Sequence, residues 1–143
     1  MATTQATISL RSSDLIPSQV LSLTSSKRLL KAGSASEGVD HLDMGRIDIV
    51  TGTSFDLVDA TALGEGKNNY VYIANKSTSE SNYITVSFVD QAVIMGRLYG
   101  GDFAFFPWSA HAATHDVELT SFNGTGTVEY AVFHEGRTLI TAS

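Results

Sequence analysis

From Tyr70 to Gly136 this chain is a succession of short segments suited to extended backbone and separated by turn formers. Tyr70-Val71-Tyr72-Ile73-Ala74, Tyr83-Ile84-Thr85-Val86-Ser87-Phe88-Val89, Asp102-Phe103-Ala104-Phe105-Phe106 and Thr127-Val128-Glu129-Tyr130-Ala131-Val132-Phe133 are rich in β-branched and aromatic residues. Such side chains fit a pleated, half-buried surface. Within Tyr83–Val89, Ile84, Val86 and Phe88 share one face, and Tyr83, Thr85 and Ser87 share the other. Val128, Tyr130 and Val132 alternate in the same way with Glu129, Ala131 and Phe133. No segment of helical period reaches a convincing length. About eight to ten strands at spacings of about 8 to 12 residues point to an all-β, single-domain β-sandwich, jelly-roll-like in its many short strands.

Upstream, Arg46-Ile47-Asp48-Ile49-Val50 and Ser54-Phe55-Asp56-Leu57-Val58 also alternate. The Thr51-Gly52-Thr53 linker between them suits a hairpin. Residues 1–45 are different: rich in Ser, Thr, Ala and Gly, with isolated apolar residues such as Leu10, Leu15, Ile16, Leu21 and Leu23. Pro17 limits the start of a strand near Val20, and the run from Lys31 to Gly38 has loop composition. The expectation is an extended N-terminal arm over 1–45, carrying one or two short strands, and a sandwich over 46–143. Downstream, Leu63–Asn69 and Asn75–Asn82 read as polar loops and Asp90-Gln91 as a turn. Ala92–Met95 reads as a short strand, Gly96–Asp102 as a corner and Asn123-Gly124 as a turn. Pro107, which has no N–H to donate, is expected to end the strand before it.

Composition removes several function classes. The formal charge is −6 with nine Lys and Arg, so the broad basic face of a nucleic-acid binder is not expected. The cluster Lys27, Arg28 and Lys31 reads as a solvated stretch. There is no cysteine, hence no disulfide and no thiolate metal site. No run approaches the ~20 apolar residues of a membrane span. The first residues lack the basic and apolar regions of a signal peptide, so the chain is expected to stay in the cell that makes it until released. The sequons at Asn75 and Asn123 then read as turn chemistry.

Candidate chemistry is sparse. His111 and His115 are four apart beside Asp116, a ligand spacing on a helix, yet the flanking residues describe a loop. Asp40-His41-Leu42-Asp43 gathers ligand-type side chains on a Gly- and Ser-rich stretch. Gly64-Glu65-Gly66-Lys67 lacks the spacing and the Ser or Thr of a phosphate loop. No nucleophile elbow is present. Asp48, Asp56, Glu118 and Glu129 could pair across strands as glycosidase carboxylates do, but read better as the polar faces of half-buried strands. These features lead to a non-enzyme with no cofactor and no metal. The aromatic block Tyr99, Phe103, Phe105, Phe106 and Trp108 reads as core and subunit interface. Phe103 and Phe105 point one way and Phe106 the other.

The segments Val71–Ser77, Gly96–Ala110 and Val128–Gly136, with Ile8–Leu15 and Lys31–Ser34, resemble a family of small virion structural proteins of tailed bacteriophages, especially marine phages of cyanobacteria. The resemblance runs over most of the chain and is a pattern of turns and aromatics rather than a chemical motif. No catalytic residue carries over. It implies a non-catalytic virion component assembled in the host cytoplasm. The first choice is a capsid decoration or cement protein bound to the major capsid protein as a homo-oligomer, a trimer given the three-fold axes such proteins occupy. It implies neither nucleic acid nor membrane as partner. A tail or fibre component is the alternative, as is a carbohydrate-binding module for host attachment with Tyr99 and Trp108 as its platform; the chain's size and lack of repeats favour the head. Expected assembly residues are Arg97, Tyr99, Asp102, Phe106 and Trp108 at the corner, with Arg97 and Asp102 paired, and Leu10, Leu15 and Ile16 on the arm.

Overall fold

In the computed structural model, residues 3–16, 18–60, 66–88, 93–112 and 115–135 are described, Ile16 by its backbone alone. The expectations placed on Pro17, Leu63–Glu65, Asp90-Gln91, Ala92 and Gly136 lie outside them. The strands are β1 (Gln5–Ile16), β2 (Gln19–Arg28), β3 (His41–Ile49), β4 (Ser54–Val58) and β5 (Asn68–Asn75). They continue as β6 (Tyr83–Phe88), β7 (Val93–Tyr99), β8 (Phe103–Ser109), β9 (Val117–Phe122) and β10 (Gly126–His134). The all-β expectation holds. Two four-stranded sheets, in the orders β3-β10-β5-β8 and β4-β9-β6-β7, and a separate β1-β2 pair account for every strand among the described residues.

One core joins the two four-stranded sheets. Ile49, Val71, Ile73, Val128 and Val132 of the first meet Leu57, Val58, Ile84, Val86, Val117 and Leu119 of the second, all buried. Alternation does this: Ile84 and Val86 face inward with Val128 and Val132, as their period requires. Apolar burial of this kind is worth roughly 1.5–3 kcal/mol for each fully buried Val, Leu or Ile.

One end of the sandwich is closed by polar groups. The Asn75 amide is fully buried and donates to Asn82 Oδ1 at 3.2 Å and to the Leu98 carbonyl at 2.9 Å. The buried Asn82 amide donates to Ser121 Oγ, Phe122 O and Gly124 O at 2.9–3.1 Å. Burying these amides is tolerable because they are bonded. The Asn75 sequon is therefore structural, as read.

Several connections differ from the sequence expectation. β3 and β4 do not form a hairpin: β3 pairs with β10 and β4 with β9, so Thr51-Gly52-Thr53 passes from one sheet to the other. Asn123 and Gly124 take positive φ (59° and 111°), as a tight turn demands, yet join β9 and β10 of opposite sheets. Local turn chemistry sets the bend and cannot report which sheet the next strand enters. Gly96 does not begin the corner; β7 runs through it to Tyr99, and the bend falls on Gly100-Gly101. Gly101 has φ +92°, and a Cβ on Gly100 would meet the Ser77 carbonyl oxygen. Pro107 does not end its strand. β8 is the sheet's edge and continues to Ser109, and an edge residue can do without its N–H.

The region expected to carry one or two short strands forms a hairpin of 12 and 10 residues, and β3 begins at His41, inside the expected arm. The hairpin's root is fixed to the first sheet. Leu29 N–H donates to Thr4 O, and buried Leu29 and Val39 pack with Tyr70, Phe105 and Phe133.

Candidate interaction surface

Strand register decides which side chains the outer face of β3-β10-β5-β8 presents. Leu42, Phe133, Tyr70 and Pro107 make one row, Met44, Ala131, Tyr72 and Phe105 the next, and Arg46, Glu129, Ala74 and Phe103 the third. Leu29 and Val39 cover part of the first row. Ala131 and Ala74 are buried in the other two rows and Tyr72 and Phe105 are half-buried, while Met44 is 68% exposed and Phe103 62%. An apolar face on an outer layer, rather than the usual polar one, marks an interaction site. Between this face and the first residues of β1 lies a groove of about 320 Å³, lined by Ala6, Ile8, Tyr72, Phe103, Phe105 and Phe133 among others.

The hairpin is two-faced. Leu10 lies opposite Leu23, Ile8 opposite Ser25 and Ser12 opposite Leu21, so Ala6, Ile8, Leu10, Leu21 and Leu23 share one face. The other face pairs Thr7 with Ser26, Ser9 with Thr24 and Arg11 with Ser22. Leu10 is 50% exposed and Leu23 56%. Leu15 and Val20, near the turn, are exposed too.

The expected corner site divides. Phe106 turns into the sandwich and meets Phe88 edge-on, with ring centroids 6.0 Å apart. Trp108 also turns inward, stacks on Phe88 at 4.3 Å and donates its Nε1–H to His115 O. Phe105 is the ring on the outer face, beside Tyr70 at 6.3 Å. Phe106, expected among the assembly residues, thus faces the core, and Trp108 is no exposed platform. Arg97 does not pair with Asp102. Its guanidinium lies 4.3 Å over the Tyr83 ring and donates to the Tyr99 hydroxyl at 3.1 Å. That hydrogen bond, chiefly, raises the Arg97 pKa. Asp102 instead accepts the Tyr99 N–H at 2.9 Å and closes the turn. Tyr99, Tyr83 and Phe122 form an aromatic row on the outer face of the second sheet. Leu10 and Leu15 are exposed on the hairpin as expected; the Ile16 side chain lies outside the described residues.

Other candidate groups separate as well. His111 and His115 stand beside each other in a loop, ring centroids 6.2 Å apart. His41 and His134 stack at 5.4 Å, with Asp40 on His41 Nδ1 at 2.6 Å and Asp43 3.2 Å from His134 Nε2. That hydrogen bond, first, and the nearby Lys31 hold the Asp40 carboxyl below its ordinary value. Of the four carboxylates, Asp56 and Glu118 meet across β4-β9 and are joined by Asp116, within 4.8 Å of one another. Asp116 also accepts the Ala60 N–H. Glu129 pairs with Arg46, and Asp48 accepts from Thr127.

Sequence reasoning missed Met44 and Tyr72 as surface residues, and it placed Phe103 in the aromatic block without fixing which way the ring faces. The signal was there in β8, where Phe103 and Phe105 alternate with Ala104 and Phe106, so both faces are apolar. No protein-family model, no curated protein and no solved structure matches this chain.

Proposed function

We propose that this chain is a non-catalytic structural component of a phage virion, a capsid decoration or cement protein that binds the major capsid protein and stabilises the head lattice. The observation that carries this reading is the hairpin of 12 and 10 residues whose Leu10 and Leu23 stay half exposed, which we read as an arm. A side chain such as Leu23 gains little in water and much in an assembled contact. The strand orders β3-β10-β5-β8 and β4-β9-β6-β7 support a jelly roll, since sequential strands from β3 to β10 cross between sheets except at the β6-β7 hairpin. The sequence resemblance supplies the phage context, the virion location, and the homo-oligomer, taken as a trimer. A carbohydrate-binding role loses half its expected platform with Trp108 and rests on Tyr99, Tyr83 and Phe122.

The test is quantitative mass spectrometry of gradient-purified particles. A decoration protein is expected at a fixed whole-number ratio to the major capsid protein, and is lost from heads when residues 5–28 are deleted. A copy number matching a tail ring would move the protein to the tail. Absence from purified particles would end the virion reading.

A further inference from the structure

We infer that the apolar face of the β1-β2 hairpin seats on the outer face of β3-β10-β5-β8 in a second copy of this chain. This names the neighbour that the arm of the proposed virion protein grips, and it does not depend on where in a virion the protein sits.

Three observations converge on a second copy. The first is that the chain carries two open apolar faces. One is Ile8, Leu10 and Leu23 on the hairpin; the other is Met44 and Phe103 on the sheet, with half-buried Tyr72 and Phe105 beside them. They are continuous, because Ile8 lines both the groove at the hairpin root and a shallow groove with Leu10 and Leu23. A two-stranded ribbon is marginal in water without a layer against it, and here the hairpin's described packing against its own sheet is at the root. Each face has the chemistry the other lacks a partner for.

The second is charge. Within Gln5–Arg28, Arg11, Lys27 and Arg28 against Asp14 give +2, which leaves −8 for the rest of a chain whose formal charge is −6. A basic hairpin approaching the acidic body of another copy is steered toward it.

The third is area. A strand of 12 residues at about 3.3 Å each spans about 40 Å, and two strands make a ribbon about 10 Å wide, or about 400 Å² of face. Each copy offers its hairpin to one neighbour and its sheet to one neighbour. That totals about 800 Å² per copy, which makes one interface of standard size in a reciprocal pair and two interfaces of half that size in a ring. Passed from copy to copy, the contact closes as a reciprocal pair or, in the trimer proposed above, as a ring.

The test is sedimentation equilibrium on the full chain at high micromolar concentration, with circular dichroism as the check on folding. Wild type is expected at two or three times the 15.3 kDa chain mass. Leu10→Glu/Leu23→Glu and, separately, Met44→Glu/Phe103→Glu are each expected at the single-chain mass with the β spectrum kept. Ser9→Glu/Thr24→Glu, on the polar hairpin face, is expected to keep the wild-type mass. A monomeric wild type overturns the inference, and if such a monomer still needed residues 5–28 to bind particles, the hairpin's partner would be the capsid protein. An apolar-face variant that stays associated, or a polar-face variant that dissociates, overturns it as well. None of these outcomes bears on the presence of the chain in particles, which mass spectrometry reads separately.

Discussion

The sandwich strands and the β1-β2 hairpin carry the same alternating pattern to opposite ends. In β9 and β10, Leu119 and Val128 are fully buried because a second sheet faces them. In β1 and β2, Leu10 and Leu23 lie opposite each other with the same two-residue period and stay half exposed. Alternation therefore makes a face; a second layer makes it a core. A region with the face and without the layer is a candidate interaction surface, and its side chains should answer differently to mutation.

The largest contrast is expected between Leu119→Ala and Leu23→Ala. The first opens a cavity between sheets and should cost about 2–5 kcal/mol. The second, measured by urea unfolding of dilute monomer, should stay within about 0.5 kcal/mol. Similar losses at both positions would erase the distinction. Next in size, Phe106→Ala should cost about 3 kcal/mol, at the low end for a ring at the core's edge, while Phe105→Ala should cost about 1–2 kcal/mol, since its half-buried ring gives up less apolar contact. The reverse order would return Phe105 to the inward position. Asn82→Ala tests the polar end of the sandwich. It leaves the Asn75 amide and the Ser121 hydroxyl without one partner each and should cost about 1–3 kcal/mol, with Asn123→Gly, which keeps the positive φ of the turn, nearer zero.

The smallest effect lies at the His41 end of β3. The Asp40 carboxyl titrates below its ordinary value of 3.8, because His41 and Lys31 favour its charged form. A group depressed in the folded state stabilises fully above its unfolded value and loses that contribution as pH falls through the lower folded one. Asp40→Asn should therefore cost a little stability at neutral pH and almost none below about pH 3, which slightly flattens the acid limb of the stability curve. A loss at pH 3 as large as that at pH 7 would contradict the pairing.

The fold class was legible because period two is a local property. Ile84, Val86, Val128 and Val132 each face where their spacing put them. The sheet assignment was not, because Thr51-Gly52-Thr53 and Asn123-Gly124 specify a bend whether the next strand stays or crosses. The hairpin's length was hidden by Ser and Thr, which fill a ribbon's wet face and a loop equally well. At the corner, β8 is apolar on both faces, so spacing separated Phe105 from Phe106 without saying which was inward. Register supplied that: Phe106 lies opposite Val71 of the core, and Phe105 opposite Tyr72 of the outer face. The Arg97–Asp102 pairing failed because the carboxylate is taken by the Tyr99 N–H within the turn, while the guanidinium reaches an aromatic row that assembles only in the folded sheet.

Amide hydrogen exchange measured against protein concentration tests most directly the claim that the hairpin's second layer comes from another copy. Amides of β5, β9 and β10 are expected to be protected at every concentration. Those of Ile8–Ser12 and Leu21–Ser25 are expected to exchange readily when dilute and to gain protection, at least tenfold, as the chain associates. Hairpin amides protected as well as the sandwich at the lowest concentration, with no dependence on it, would contradict the claim.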